Sequence, residues 1–400
     1  MNPEKPSGGE GAFWRRTGPL VVLTVIFFVN FASRIILAPF LPAIERDLGI
    51  SHSGAGLFFF LIAVGYCVSL LGSGFVSARL THRRTIVVSC IGVGISLLIM
   101  SVAGGLWEIR LGLLLLGLAA GLYIPSAIAT ITSLIDSSHW GKAIAIHELA
   151  PNLAFILVPV LGDFALRWSS WRMALGFLGV IAVIMSVAFA RYGSGGEFAG
   201  ESPASSSLKA LVVLPAFWLL TGLFCFAVSS TVGIFAMLPL YLVHERGMGQ
   251  SWANTLLALS RLSGPVMGLI GGWVSDRFGP KRTIVGSFLI TGMTTLLIGP
   301  VPDAWLPLFV ILQPALAVCF FPAGFAAISA IGPVASRNVA VSFVVPLGFL
   351  VGAGVIPALI GFMGDTSSFA RGLILVGSLI LSGALLGLFL KVPEAKTAEA

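Results

Sequence analysis

The sequence predicts an all-α integral membrane protein, with twelve transmembrane helices in two pseudo-symmetric six-helix bundles. Three observations carry that expectation. The 400-residue chain is 57% hydrophobic and only 10% charged, where a soluble domain carries about 25% charged residues. Its apolar residues fall into twelve runs, each long enough to cross about 30 Å of hydrocarbon. Finally, Gly74–Ser89 (GFVSARLTHRRTIVVS) returns 198 positions later as Gly272–Ser287 (GWVSDRFGPKRTIVGS), with nine of sixteen positions identical. A period of nearly half the chain means one bundle duplicated behind another.

The apolar runs lie at 18–41, 53–77, 85–105, 111–135, 143–166 and 172–190, then at 211–242, 252–275, 283–299, 305–331, 339–363 and 369–390. Between the sets, Arg191–Lys209 is rich in Gly, Ser and Glu, the composition of a flexible connector. The expected domains are therefore 1–190, a linker at 191–210, and 211–400. Pro159 and Pro357, again 198 apart and beside glycines, suggest matching kinks in the fifth and eleventh helices.

Twelve spans put both termini on one side, and basic residues choose the side. With the termini in the cytoplasm, inner loops and tails hold 15 Lys and Arg while outer loops hold 6. This is the bias of the positive-inside rule, so the expected location is the inner (plasma) membrane. The net charge of +7 is then a topology signal. No basic patch with interleaved aromatics exists, which argues against nucleic acid. Cys67, Cys90, Cys225 and Cys319 sit within apolar runs without metal-ligand spacing, and read as small core residues. There is no phosphate-cradling Gly-Lys-Ser/Thr loop and no nucleophile–base constellation. Neither an ATP-driven pump nor an enzyme is expected, and no metal or cofactor.

The repeated loop resembles the signature of the major facilitator superfamily, G-x-x-x-D-R-x-G-x-[KR]-[KR]. The second copy matches at Gly272, Asp276, Arg277, Gly279, Lys281 and Arg282. The first keeps Gly74, Arg79, Arg83 and Arg84 but has Ala78 in place of the acid and Thr81 in place of the second glycine. The resemblance implies a monomeric secondary transporter. It also implies that the second-half loop packs near the start of span 5 and the first-half loop near the start of span 11. Physically, an aspartate there can cap a helix of the other bundle, and the arginines can meet lipid phosphates or a carboxylate across the interface. With Ala78 lacking the acid, the expected latch is asymmetric, carried by Asp276 and Arg277 with Gly272 in the turn, and Arg79 and Arg84 opposite.

Ionisable groups inside spans are costly and therefore informative. Arg34 in span 1 and Arg261 in span 8 lie eight residues before Pro42 and ten after Ser251, about 12–15 Å from the outer surface at 1.5 Å per residue. Facing one cavity, two guanidinium groups would clamp an oxyanion. Asn30 shares Arg34's helix face with Ser33 adjacent, and Asn254 shares that of Arg261. The competing reading has the arginines snorkel outward or pair with an internal acid.

His147 and Glu148 form the only adjacent titratable pair in a span. They are candidates for proton coupling, against a reading in which Glu148 pairs with Arg277 while His147 only packs. Asp163 is expected beside Arg167 or Arg172. Tyr123 and Ser126, Ser229, Ser230 and Thr231, and Gln313 could each donate to a substrate or satisfy a helix carbonyl.

The expected activity is transport of a small organic anion, a carboxylate foremost, by symport with protons or antiport against a counter-anion, in contact with membrane lipid. The alternative is proton-driven efflux of amphipathic or cationic compounds through Glu148, the one acid placed for it. A non-transporting membrane receptor is a third class.

Overall fold

The computed structural model describes residues 17–201, 211–330 and 337–390. The connector residues 202–210, and the tails that hold Lys5, Arg15, Arg16, Lys391 and Lys396, lie outside the described residues, as does Lys209. Twelve helical spans run in order: α1 Thr17–Leu48, α2 His52–Leu80, α3 His82–Val102, α4 Leu106–Leu134, α5 Ser137–Trp168, α6 Trp171–Tyr192, α7 Pro215–Glu245, α8 Gln250–Phe278, α9 Pro280–Ile298, α10 Leu306–Ser329, α11 Ala340–Thr366 and α12 Phe369–Leu388. Eleven are long and apolar enough to cross a membrane, with α9 the exception. Several begin on side-chain caps of orphan amides: Ser51 accepts from Gly54, Ser170 from Met173 and Ser368 from Arg371.

The pairs α3–α6 and α9–α12 pack alike within the two bundles, while α2 with α11 and α5 with α8 form the seam between them. These pairings are related by the sequence repeat. One end of the molecule, the linker face, holds the α2–α3 and α8–α9 turns. The connector reaches the same face, and its first part is not free. Phe198 and Gly196 carbonyls accept from His82 and Arg83 amides, Gly200 donates to Ser77, and Arg83 pairs with Glu197 at 2.5 Å. Residues 193–201 are therefore docked on the first bundle, where composition alone suggests a flexible tether.

The duplicated turn has one backbone shape and two residue types. Gly279 has φ 86° and ψ 153°, and Thr81 has φ 82° and ψ 156°. That region belongs to glycine, and another residue there costs about 1–3 kcal/mol. Thr81 recovers part of this through its side chain, which accepts from Arg84 N at a weak 3.5 Å. Thr81→Gly should therefore stabilise the protein by about 1 kcal/mol and Gly279→Ala should do the reverse, read as shifts of the thermal midpoint in opposite directions. Equal shifts of the same sign would contradict the strain argument.

The two prolines sit in different local structure. Pro159 sits inside a continuous α-helix, whereas Pro357 follows a π-helical turn at Leu350–Val355. Two further π turns occupy α7, at Ser229–Gly233 and Tyr241–Glu245.

Candidate functional site

Arg34 and Arg261 both reach the seam, each in an aromatic cage. The Arg34 guanidinium lies 4.7 Å from the Phe31 ring centroid, 4.3 Å from Tyr66 and 5.5 Å from Phe349. Arg261 lies 4.3 Å from Phe155 and 4.9 Å from Phe235. Each cage takes a ring from the opposite bundle, and Phe31 meets Phe155 edge-on at 5.0 Å. The two cations are thus joined by a chain of rings, with two phenylalanines between them.

Their partners differ. The α8 helix breaks at Ser260–Ser263, just before Gly264 and Pro265, because proline lacks an N–H and its ring clashes with the carbonyl four residues back, that of Arg261. Arg261 in that break donates to the Thr231 carbonyl at 2.7 Å. The carbonyl belongs to the π turn of α7, a wider turn that frees backbone acceptors. Gln313 uses the same device, donating to Ser230 O at 2.8 Å and to Thr295 at 3.2 Å.

Arg34 has no carboxylate within ion-pair distance among the described residues, and its Nε is buried without a hydrogen-bond partner, as is the Tyr66 hydroxyl. Both side chains line a cavity of about 20 Å³. That is room for one water, so the site is collapsed in this conformer. Neither snorkelling nor pairing with an internal acid describes Arg34, which is 7% exposed. Arg261 does not line this cavity.

The other candidates divide. Asn30 donates to Ala120 O at 3.2 Å, leaving its Oδ1 buried and unpaired, and Ser33 donates to Asn30 O. Ser229, Ser230 and Thr231 hydroxyls all return to carbonyls of their own helix. Ser126 bonds His82 at 3.2 Å, near the linker face. Asn254 is a seam residue: with Gln250 it donates to the Pro39 carbonyl, which the proline-induced break of α1 leaves free.

His147 is fully buried, stacked on Phe27 with centroids 4.4 Å apart. Tyr123 donates its hydroxyl proton to Leu23 O at 2.6 Å, so its oxygen accepts from His147 Nε2 at 3.1 Å. Nδ1 then carries only a lone pair. It is buried without a hydrogen-bond partner, 3.8 Å from Oε1 of Glu148, which is half exposed. The pairing of Glu148 with Arg277 is therefore not the one formed. Asp163 pairs with Arg167 at 2.8 Å, while Arg172 pairs with Asp47.

The face opposite the linker is closed by contacts that sequence reading missed. Asp365 at the end of α11 accepts from the amides of His52 and Ser53 and from the Ser53 hydroxyl. Glu45, 6% exposed, lies between His52 Nδ1 at 2.8 Å and His244 Nε2 at 3.4 Å. Arg167 donates to Ser251 at 2.8 Å. An aspartate capping a helix of the other bundle is the physics expected of Asp276, but Asp365 performs it at the other end. The clue available was an Asp or Glu at the far end of a span, with a histidine opening another. Asp276 and Arg277 are exposed and make no hydrogen bond or ion pair with any described residue, and Arg79 and Arg84 side chains are likewise exposed. A Cβ at Gly272 would meet only Pro322, at an ordinary contact distance of 3.9 Å.

Comparison with known proteins follows the same lines. The model of the Major Facilitator Superfamily matches residues 23–271 and 254–400. The chain is similar to the "Membrane sensor protein UhpC" of Escherichia coli (strain K12), 23% identical over 343 residues that cover 78% of this chain and 75% of that protein. It is also similar to the "Probable sulfoacetate transporter SauU" of Cupriavidus necator, 22% identical over 297 residues, 68% of this chain and 69% of that one. Among solved structures, a bacterial homolog to the human lysosomal transporter Spinster superposes with a TM-score of 0.79 at 16% identity, over 95% of this chain and 99% of that one.

Proposed function

Since the chain belongs to the Major Facilitator Superfamily and is a multi-pass membrane transporter, we propose that it moves a small organic anion across the inner membrane by alternating access, driven by protons, with Arg34 holding the anionic group. One observation carries this reading. A guanidinium is buried at the seam with an unpartnered Nε, beside an unpartnered Tyr66 hydroxyl, and no carboxylate among the described residues lies within ion-pair distance of it. Burying a cation without an anion is costly. The surrounding rings return only about 0.5–2 kcal/mol each. An arriving carboxylate supplies the missing charge and accepts both hydrogen bonds. The likeness to a protein named for sulfoacetate, itself a small anion, agrees with this class.

Arg261 acts differently in this proposal. It is the cation of the second bundle, held on the π turn of α7, and comes into reach when the seam rearranges. The bundles 1–190 and 211–400 rock about the connector 191–210. With both termini cytoplasmic, the closed face described above is the periplasmic one, and the conformer is shut to the outside. Asp276 and Arg277, with Gly272, Arg79 and Arg84, form the cytoplasmic latch of the opposite conformer, which is why they stand unpaired here.

Protons couple at His147 and Glu148. A proton delivered between Nδ1 and Oε1 converts two facing acceptors into a charge-assisted hydrogen bond. Glu148 is exposed enough to receive it. In proteoliposomes, Glu148→Gln should abolish accumulation driven by a pH gradient while leaving anion exchange intact. Unaltered pH-driven accumulation would remove Glu148 from the mechanism.

The class of substrate is tested by thermal shift of the purified protein against monocarboxylates, dicarboxylates, sulfonates, sugar phosphates, neutral sugars and lipophilic cations. Stabilisation by anions supports the proposal. Stabilisation by lipophilic cations alone, lost in Glu148→Gln, would favour efflux. Because the chain is also similar to a sensor protein, flux is measured alongside; anion binding with no flux in liposomes would mark a receptor.

A further inference from the structure

The chemistry of the cavity wall narrows the substrate further, an inference that rests on the anion reading above. Of the ten residues lining the cavity, only Arg34 and Tyr66 carry polar side chains; Phe31, Phe59 and Ile62 from the first bundle and Phe349 from the second typify the rest. Among the polar groups outside the wall, most donors are already committed, and the Asn30 Oδ1 stays an unpaired acceptor that does not line the cavity. The hydroxyls of Ser229, Ser230 and Thr231 are bound to their own helix, and the amides of Gln313 and Asn30 to backbone carbonyls. Arg261 is bound to Thr231 O and separated from Arg34 by the Phe31–Phe155 pair.

We infer that the site selects amphipathic monoanions: one carboxylate on Arg34 and Tyr66, and an aromatic or branched apolar body between Phe59 and Phe349. The cavity wall is drawn from both bundles, with Val232, Phe349 and Ala353 from the second. Relative motion at the seam therefore enlarges it along the ring-lined direction, from the volume of one water toward that of a small aromatic acid. A polyhydroxylated anion entering there loses water from each hydroxyl and finds no partner for them on the wall beyond Arg34 and Tyr66, at about 1–3 kcal/mol per unsatisfied group. A dianion brings a second charge with no second cation on the wall. An apolar body meets neither penalty and gains contact with rings, whose edges and faces suit another aromatic.

The test holds one part of the ligand fixed while varying the other, using calorimetric affinity for the purified full-length protein. With the body fixed, phenylacetate, phenylacetamide and 2-phenylethylammonium report on charge. With the charge fixed, phenylacetate and isovalerate against gluconate, sulfoacetate and malonate report on the body. The expected result is that phenylacetate and isovalerate bind at least about tenfold tighter than gluconate, sulfoacetate and malonate, each 1.4 kcal/mol being a factor of ten. Tyr66→Phe should weaken phenylacetate about tenfold, the worth of one hydrogen bond to a charged group, with an unfolding midpoint no lower than that of the parent showing that the variant folds. If gluconate, sulfoacetate or malonate binds as tightly as phenylacetate, the amphipathic selection is wrong while the anion site stands. If phenylacetamide or 2-phenylethylammonium matches phenylacetate, the anion reading itself falls.

Discussion

Arg34→Met is expected to separate stability from function. Methionine keeps most of the side-chain volume and the contacts with Phe31, Tyr66 and Phe349, while removing the charge and the unpartnered Nε. Two terms oppose in the unliganded protein. Losing the cation–π contacts costs about 0.5–2 kcal/mol each, and removing an unsatisfied buried donor returns about 1–3 kcal/mol. Removing the charge also relieves the cost of burying a cation without an anion, so the unliganded midpoint should hold or rise. The liganded state has no such balance, because losing one partner of a buried hydrogen-bonded charge pair costs about 2–5 kcal/mol. Anion affinity should fall at least about thirtyfold, and anion-induced stabilisation should vanish. Arg261→Met also removes an unpartnered Nε, but it leaves the Thr231 carbonyl without its donor, and should therefore give a lower unliganded midpoint than Arg34→Met. If Arg34→Met retains the full anion response, the site lies elsewhere.

The second large effect is conformational. A Cβ at Gly361 would lie 2.3 Å from the His52 backbone oxygen, and one at Gly56 would lie 2.6 Å from the Pro357 oxygen. Both contacts join α2 to α11 in the closed half of the seam, and backbone cannot step aside as a side chain can. Gly361→Val should therefore destabilise the closed face by about 1–3 kcal/mol or more. Two bundles that can part relieve the clash by parting. Asn254 is fully buried at that face, against Pro39. In a background with the four native cysteines replaced by alanine, Asn254→Cys should react with an impermeant maleimide at least about tenfold faster when Gly361→Val is present, for a population shift of 1.4 kcal/mol. Equal rates would mean that α2 and α11 do not separate there.

The candidate site was legible in part, and the reason lies in what periodicity can report. A lone arginine inside an apolar run is conspicuous, so Arg34 and Arg261 stand out from sequence. So does the His147–Glu148 pair, although only the Tyr123 hydroxyl bond fixes which imidazole nitrogen faces the acid. Tyr66 was not singled out: one tyrosine in an apolar helix signals nothing until Arg34 is placed over its ring. Polar residues at helical spacing, such as Ser230 and Thr231, were weighed as substrate ligands. Within a low-dielectric interior, the nearest carbonyl of their own helix won.

The same limit applies to the closed face. Glu45, His52, His244 and Asp365 are up to 320 residues apart in the chain, and no local pattern associates them. The turn at Thr81 shows the converse case. Duplication imposes the backbone of Gly279 on a residue that does not favour it, so the repeat predicts the conformation and the structure reveals the strain.

What the sequence by itself determined is everything that follows from local chemistry and symmetry. Apolar runs of membrane length, basic turns and a 198-residue repeat specify the spans and their number, because each helix satisfies its own backbone. Only the tertiary structure decided which face of the seam is shut, that the two arginines occupy separate aromatic cages, and which polar groups remain unpaired. Those depend on contacts between helices distant in the chain, where backbone acceptors, rings and carboxylates compete for the same donors.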